Sequence, residues 1–211
     1  GTEPLVPLVM FRNRNFALGS FSISAMGFVV GGTMVPIMLF LQDVQGMNAQ
    51  QAAFMLIPMA VISGTLAPFV GRLADRIHPR VLSMIGFGFM TAAALALAAI
   101  MRDGVGRWWM LLPAVLLGFG NGFVWSPNSA TSMRDLPIQS LGAASGVYNT
   151  TRQIGSVLGS AAIGGVMQMG VANSGYANSM GNSMVLCVIV LIFGLIAVSR
   201  FTERTDTAAA D

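Results

Sequence analysis

Six long apolar stretches, at 16–41, 50–70, 81–101, 108–133, 143–169 and 181–200, alternate with short polar breaks along the chain. Each stretch reaches the roughly 20 residues that a helix needs to cross the hydrocarbon of a bilayer. The breaks, at 42–49, 71–80, 102–107, 134–141 and 170–180, hold most of the charge and many of the small polar residues. A transmembrane barrel would show strands of about ten residues with alternating polarity, and the chain has none of that pattern. Helix is the remaining spanning form, because it satisfies every backbone group within the segment. The pattern predicts an all-α integral membrane bundle of six helices at 16–200, with a cytoplasmic lead-in at 1–15 and a polar cytoplasmic tail at 201–211.

The six segments differ in kind. The third and sixth carry no proline and no charge short of Arg200, which closes the sixth, and their hydroxyls are small ones such as Ser83, Thr91, Ser183 and Ser199. They read as peripheral and lipid-facing. The other four carry Pro36, Pro58, Pro68, Pro113 and Pro127 together with Asn121, Asn128, Asn149, Arg152 and Gln153. Polar groups are costly in hydrocarbon, so these four segments are expected to turn toward a bundle interior or a wet cavity. Two inner segments followed by one outer segment, twice over, make a three-plus-three pseudo-repeat of the kind found in one half of an inverted-repeat transporter.

Composition agrees with a membrane protein. Of the 211 residues 55% are apolar and 9% charged, and the mean hydropathy is +0.72. That is too little charge to cover the surface of a soluble domain or to keep a chain disordered. The 11 basic residues are all arginine, a compositional hint of a GC-rich bacterial source. They lie between the apolar segments rather than on one face, which argues against nucleic acid as a partner. If every segment crosses, eight arginines fall on one side, Arg102 and Arg107 on the other, and Arg152 within the fifth segment. The excess marks the cytoplasmic side and places both ends of the segment there. Trp108 and Trp109 suit an interfacial anchor at the outer end of the fourth segment. Cys187 and His78 are each alone and far apart, which leaves no disulfide and no metal site to expect. The chain starts Gly1-Thr2-Glu3-Pro4, without Met or signal peptide, and reads as a piece of a longer protein.

Three constellations carry candidate chemistry. In the fifth segment Ser145, Asn149, Arg152, Gln153 and Ser156 recur at helical spacing, flanked by Gly142, Gly146, Gly155 and Gly159 for close packing. Arg152 is the charge farthest from any break; it either attracts an anionic group or a carboxylate, or snorkels to the interface or a carbonyl. In the fourth, Asn121, Trp125 and Asn128 share a face and offer either a cavity wall of two amides and an indole, or hydrogen bonds between helices. Between the second and third, Gly71, Arg72, Asp75, Arg76 and Arg80 form a short turn with one carboxylate among arginines, suited to ion pairing, to a helix N-terminus or simply to the positive-inside bias. Met26, Met34 and Met38 are either apolar filling or an adaptable surface. No Asp or Glu lies inside a segment. A self-contained intramembrane serine protease would need a histidine base in the membrane, and His78 sits in a loop; no enzyme is expected. A passive channel is disfavoured too, since no filter-like run or charged ring is present.

The run Gly71-Arg72-Leu73-Ala74-Asp75-Arg76-Ile77-His78-Pro79-Arg80 resembles the signature between the second and third helices of each half in the major facilitator superfamily. Phe11 to Phe16, Leu41-Gln42 through Ile57-Pro58-Met59, Leu117 to Gly122, and the fifth-segment pattern from Gly142 to Gly159 resemble the C-terminal half of its 14-helix drug:proton antiporters, the EmrB/QacA type. His78-Pro79 departs from the glycine common in that turn. The resemblance implies one half of a major facilitator fold that rocks against an N-terminal half. The expected activity is proton-coupled efflux of amphipathic or cationic drug-like molecules across a bacterial inner membrane, without a cofactor beyond the proton gradient. It implies a conformational latch at Gly71, Arg72, Asp75, Arg76 and Arg80 and a substrate cavity at Asn121, Trp125, Asn128, Asn149, Arg152 and Gln153. An exporter of another small molecule (a metabolite, lipid or siderophore) and an inactive truncated membrane fragment are the alternatives.

Overall fold

The computed structural model describes residues 8–202 and is all-helical over them, with six helical spans long and apolar enough to cross a membrane. α1 (Arg14–Leu39) opens on Asn13, whose side chain accepts from the Phe16 amide at 3.1 Å, and it runs on into a π-helical turn, Phe40–Val44. The second span is two helices, α2 (Ala49–Met55) and α3 (Ile57–Leu73). Asn48 and Gln51 form a capping box at its start, with bonds of 2.8 and 3.1 Å. The sequence has one apolar stretch at 50–70 with a kink expected at Pro58; the structure makes it a full break at Leu56, because Pro58 lacks the N–H that would continue the ladder and fits the first turn of a new helix. α4 (Pro79–Ile100), α5 (Leu111–Met133) behind a 3-10 turn Arg107–Met110, α6 (Leu141–Ser174) and α7 (Tyr176–Ser199) complete the chain.

The expected break at 170–180 is a second correction. Only Gly175, at φ 82°, separates α6 from α7. The small residues read there as loop instead let the two helices pack closely; a Cβ on Gly170 would lie 3.1 Å from that of Ser179. α6 therefore has 34 residues and is about 51 Å long.

The pairing of helices repeats the three-plus-three pattern in space. α1 packs on α6 as α5 packs on α3, and α1 packs on α7 as α5 packs on α4. α1 meets α5, and α4 meets α7, so exchanging the first three spans with the last three maps these pairs onto one another. α4 and α7 each bury one apolar face, with Phe87, Met90, Met184 and Leu191 inside, and turn a second apolar face outward through Leu95, Val185 and Phe193. An outward apolar face beside a packed one is what a lipid-contacting helix requires. The second and fifth spans are the least covered, with 11% and 22% of their most apolar stretches buried, against 44% or more in the other four.

α1 and α6 touch backbone to backbone. A Cβ on Gly155 would run into the Ser24 carbonyl, and one on Gly159 into that of Phe28; from the other side Gly27 faces the Arg152 carbonyl. Ser160 donates to the Gly31 carbonyl at 3.0 Å across the same crossing. Such small-residue crossings are how helices associate where lipid and side chain are equally apolar.

At one end of the bundle three chain segments meet on buried Asn15. Its Nδ2 donates to Asp135 Oδ2 at 2.9 Å, and its Oδ1 accepts from the backbone N–H and the hydroxyl of Thr202, each at 3.0 Å. Arg134 Nη2 donates to the Thr202 carbonyl at 2.6 Å. Asn15→Ala removes the acceptor shared by the Thr202 amide and hydroxyl and the donor to Asp135; Asn15 is buried but Thr202 is exposed, so the expected cost is about 1 kcal/mol, read as a lowered thermal midpoint of the purified protein. At the opposite end Tyr176 donates to Asp43 at 2.9 Å, Gln45 to the Val105 carbonyl at 2.7 Å, and Arg102 to Asn182 at 2.7 Å. The spans thus alternate in direction.

Candidate functional site

A cleft of about 350 Å³ opens between α1, α3 and α5, lined by Thr33 and Met34, by Ser63, Gly64 and Ala67, and by Leu117, Asn121 and Trp125. Its volume lies at the lower end of the range for small-molecule pockets. α3 has few bulky side chains along this stretch, and that is why space remains. Thr33 and Ser63 turn their hydroxyls back to the carbonyls of Val29 and Ala60, at 2.7 and 3.3 Å, so the walls they give the cleft are mostly apolar.

Asn121 and Trp125 form an ordered pair on one wall. Asn121 Nδ2 donates to the Leu117 carbonyl at 2.9 Å, which fixes the amide, and Trp125 Nε1 then donates to Asn121 Oδ1 at 3.0 Å. The indole is held at its polar edge and leaves its face free. Over that face lies Arg152 of α6, with Cζ 5.3 Å from the ring centroid. This is cation–π geometry. Arg152 sits about 17 Å along α6 from Leu141, its Nε is buried without a hydrogen-bond partner, and no carboxylate lies within 4.0 Å of it among the described residues.

Asn128 sits elsewhere. It is fully buried, and therefore presents no surface to the cleft. Its Nδ2 donates to Ser22 Oγ and its Oδ1 accepts from the Tyr148 hydroxyl, both at 2.6 Å, while Ser132 donates to its carbonyl at 2.6 Å. One amide thereby joins α1, α5 and α6, which is the interhelical alternative named for it above. Tyr148 was not singled out in the sequence. The signal was available, since a buried tyrosine hydroxyl requires a partner, but which helix would supply it was not.

The stripe on α6 divides. Ser145, Asn149 and Gln153 are exposed, with Asn149 Nδ2 bonded only to the Ser145 carbonyl of its own helix at 3.0 Å. Arg152 leans to Trp125, and Ser156 packs at Gly31. Asn149 and Gln153 therefore lie on the uncovered face of α6 and Arg152 at its edge.

The turn between α3 and α4 holds Gly71, Arg72, Asp75, Arg76 and Arg80. Arg72, Asp75 and Arg76 are exposed, Gly71 and Arg80 half-buried. Among the described residues the ion pair within 4.0 Å is Arg134–Asp135, and Asp75 has no arginine at that distance. Turn bonds from the amides of Ala74, Asp75, Arg76 and Ile77 close the end of α3, and α4 begins at Pro79, whose fixed φ suits a first helical turn. Gly71 lies against Ser126, with 3.7 Å from its built Cβ to the hydroxyl. Ser126 follows Trp125, and Ala67, one helical turn before Gly71, lines the cleft. The turn and the cleft are thus neighbours along the α3–α5 contact. Trp108 and Trp109 stand exposed at the opposite end.

Six alternating apolar helices, paired as two exchangeable triplets around a cleft, define a polytopic membrane protein of transporter architecture. The family model of the Major Facilitator Superfamily matches residues 1–160, and the chain belongs to that superfamily, its fold being one half of the major facilitator fold. It is 35% identical to an uncharacterized MFS-type transporter of Mycobacterium tuberculosis, over 99% of this chain and 41% of that protein. It is 29% identical to the multidrug resistance protein Stp of the same organism, over 79% of this chain and 30% of Stp. It is 23% identical to the riboflavin transporter RibZ of Clostridioides difficile, over 97% of this chain and 46% of RibZ. The chain spans under half the length of these curated relatives.

Proposed function

We propose that this chain is the C-terminal half of a proton-coupled multidrug exporter of the 14-helix type, moving amphipathic small molecules out across a bacterial inner membrane by alternating access. The observation that carries the reading is the cleft between α1, α3 and α5: a mostly apolar hollow with one oriented polar wall, Asn121 and Trp125, beside the two least covered spans. Apolar walls with few fixed polar groups accept many amphipathic shapes. The exposed faces of α3 and α6 are surfaces for the N-terminal half to close upon. The printed name of Stp, a multidrug resistance protein, supports efflux; that of RibZ supports the second reading, transport of a metabolite. No Asp or Glu lies in the interior of the described spans, so the coupling carboxylate belongs to the rest of the transporter. The excess of arginine at the end holding Arg12, Arg72, Arg134 and Arg200 supports a cytoplasmic location for that end.

Exposed Asp75, with no arginine within 4.0 Å among the described residues, is available to pair with the other half in one conformation and to release in the other. A contact present in one state only biases the equilibrium between them. The test uses the whole transporter in inverted vesicles. A pH gradient drives accumulation of a lipophilic dye, and a protonophore abolishes it. Asp75→Asn lowers the rate about tenfold, as a bias of ~1.4 kcal/mol requires, with unchanged protein in the membrane. Gradient-independent accumulation, or an unaltered rate in Asp75→Asn, overturns the coupling or the latch respectively.

A further inference from the structure

Arg152 has a ring beneath it and no anion beside it. Its guanidinium stacks on Trp125 at 5.3 Å, its buried Nε lacks an acceptor, and none of the described carboxylates lies within 4.0 Å. A guanidinium carries five donors in a plane, matched to a carboxylate, and one left without acceptors in a membrane interior is a costly arrangement. Trp125 lines the cleft with its N–H already committed to Asn121, so the indole offers an apolar face and no donor of its own. The amide of Asn121 gives one N–H to Leu117 and accepts from Trp125, which fixes its orientation and leaves it neutral, with one N–H to offer. Arg152 does not itself line the cleft but lies against Trp125, which does, so the fixed charge nearest that wall is positive, with no carboxylate within 4.0 Å among the described residues. It repels a cation and attracts an anion.

We propose that Arg152 is the receptor for an anionic group on the cargo. The transported class is then aromatic or otherwise apolar acids, whose carboxylate meets the guanidinium while the ring system lies along Trp125 and the aliphatic walls of α1 and α3. The proposal rests on the export reading and narrows it from amphipathic molecules in general to amphipathic anions. Held on the indole, the guanidinium keeps its outer edge free for two parallel N–H···O bonds.

The test is equilibrium binding to the whole transporter in lipid nanodiscs, with three naphthalene probes of one shape: 2-naphthoate, neutral 2-naphthamide and cationic 2-naphthylmethylammonium. The carboxylate binds at least about tenfold tighter than the other two, the factor expected of one desolvated charge-assisted contact. In Arg152→Gln that preference disappears while the amide binds as before, and Arg152→Lys retains part of it. Binding of none of the three, equal binding, or preference for the cation overturns the proposal. So does a uniform loss of all three probes in Arg152→Gln, the result expected if a carboxylate elsewhere in the transporter holds this arginine. Proton-driven dye efflux is scored on the same preparations. Intact efflux without carboxylate preference refutes the anion receptor and leaves the export reading standing; absent efflux with carboxylate preference refutes only the export reading.

Discussion

Replacing Gly155 and Gly159 together with leucine is expected to abolish accumulation of folded protein in the membrane. Both positions meet a carbonyl of α1, that of Ser24 and that of Phe28, closer than any real Cβ approaches an oxygen. A carbonyl in a helix cannot swing away as a side-chain tip does, so the helices must separate along the crossing. Separation breaks the Ser160 bond to Gly31 and opens the seam between α1 and α6. Overpacking a fitted core costs about 1–3 kcal/mol per site, and two adjacent sites against backbone lie at the upper end or beyond. The control is on the same helix. Gly164 and Gly165 have nothing within 4 Å of a built Cβ, and alanine there is expected to be neutral or stabilising by up to about 1 kcal/mol through helix propensity. Fluorescence-detected size exclusion of tagged protein separates the two outcomes; a monodisperse Gly155→Leu/Gly159→Leu peak at normal level would contradict the crossing.

Asn128→Leu is the second large effect. It removes an acceptor from the Tyr148 hydroxyl and a donor from Ser22, both buried. Hydrogen bonds between membrane helices average about 0.6 kcal/mol and reach about 1.7, and an orphaned buried hydroxyl adds about 1–3 kcal/mol. The expected loss is about 2–3 kcal/mol in a denaturant titration. Tyr148→Phe alone should cost about 1 kcal/mol, since it leaves Asn128 one acceptor short of a donor and keeps its bond to Ser22. The double substitution Asn128→Leu/Tyr148→Phe should be milder than the sum, because the orphaned hydroxyl is gone. Strict additivity would show that the two do not share the junction.

The spans themselves were legible because crossing a bilayer demands about 20 apolar residues whatever they pack against. Their ends were not. Residues 170–180 look like a loop by composition, yet small and polar residues are also what two helices need to approach closely, as Gly170 and Ser179 do. The Leu56 break was half-visible in Pro58, whose kink the sequence announces without its position. Periodicity placed Asn121, Trp125 and Asn128 on one side of a helix, but depth along the helix decides what covers each, and Tyr148 from α6 closes over Asn128 alone. The junction of Asn15, Asp135 and Thr202 joins positions 120 and 187 residues apart; no local pattern reports such a meeting. The turn around Asp75 was found by its residues, while the absence of an ion pair there among the described residues is a matter of where four flexible side chains point.

The one-residue joint at Gly175 has a mechanical consequence. α6, at about 51 Å, exceeds the roughly 30 Å of hydrocarbon, and it is yoked without slack to α7, whose outer surface is apolar. Tilting α6 must drag α7 through the surrounding acyl chains, so the bilayer is a load on the swing. A thicker membrane favours upright rods and a thinner one inclined rods. Under the proposed alternating access, lipid chain length is expected to act as an effector, shifting the balance of states without touching the cleft.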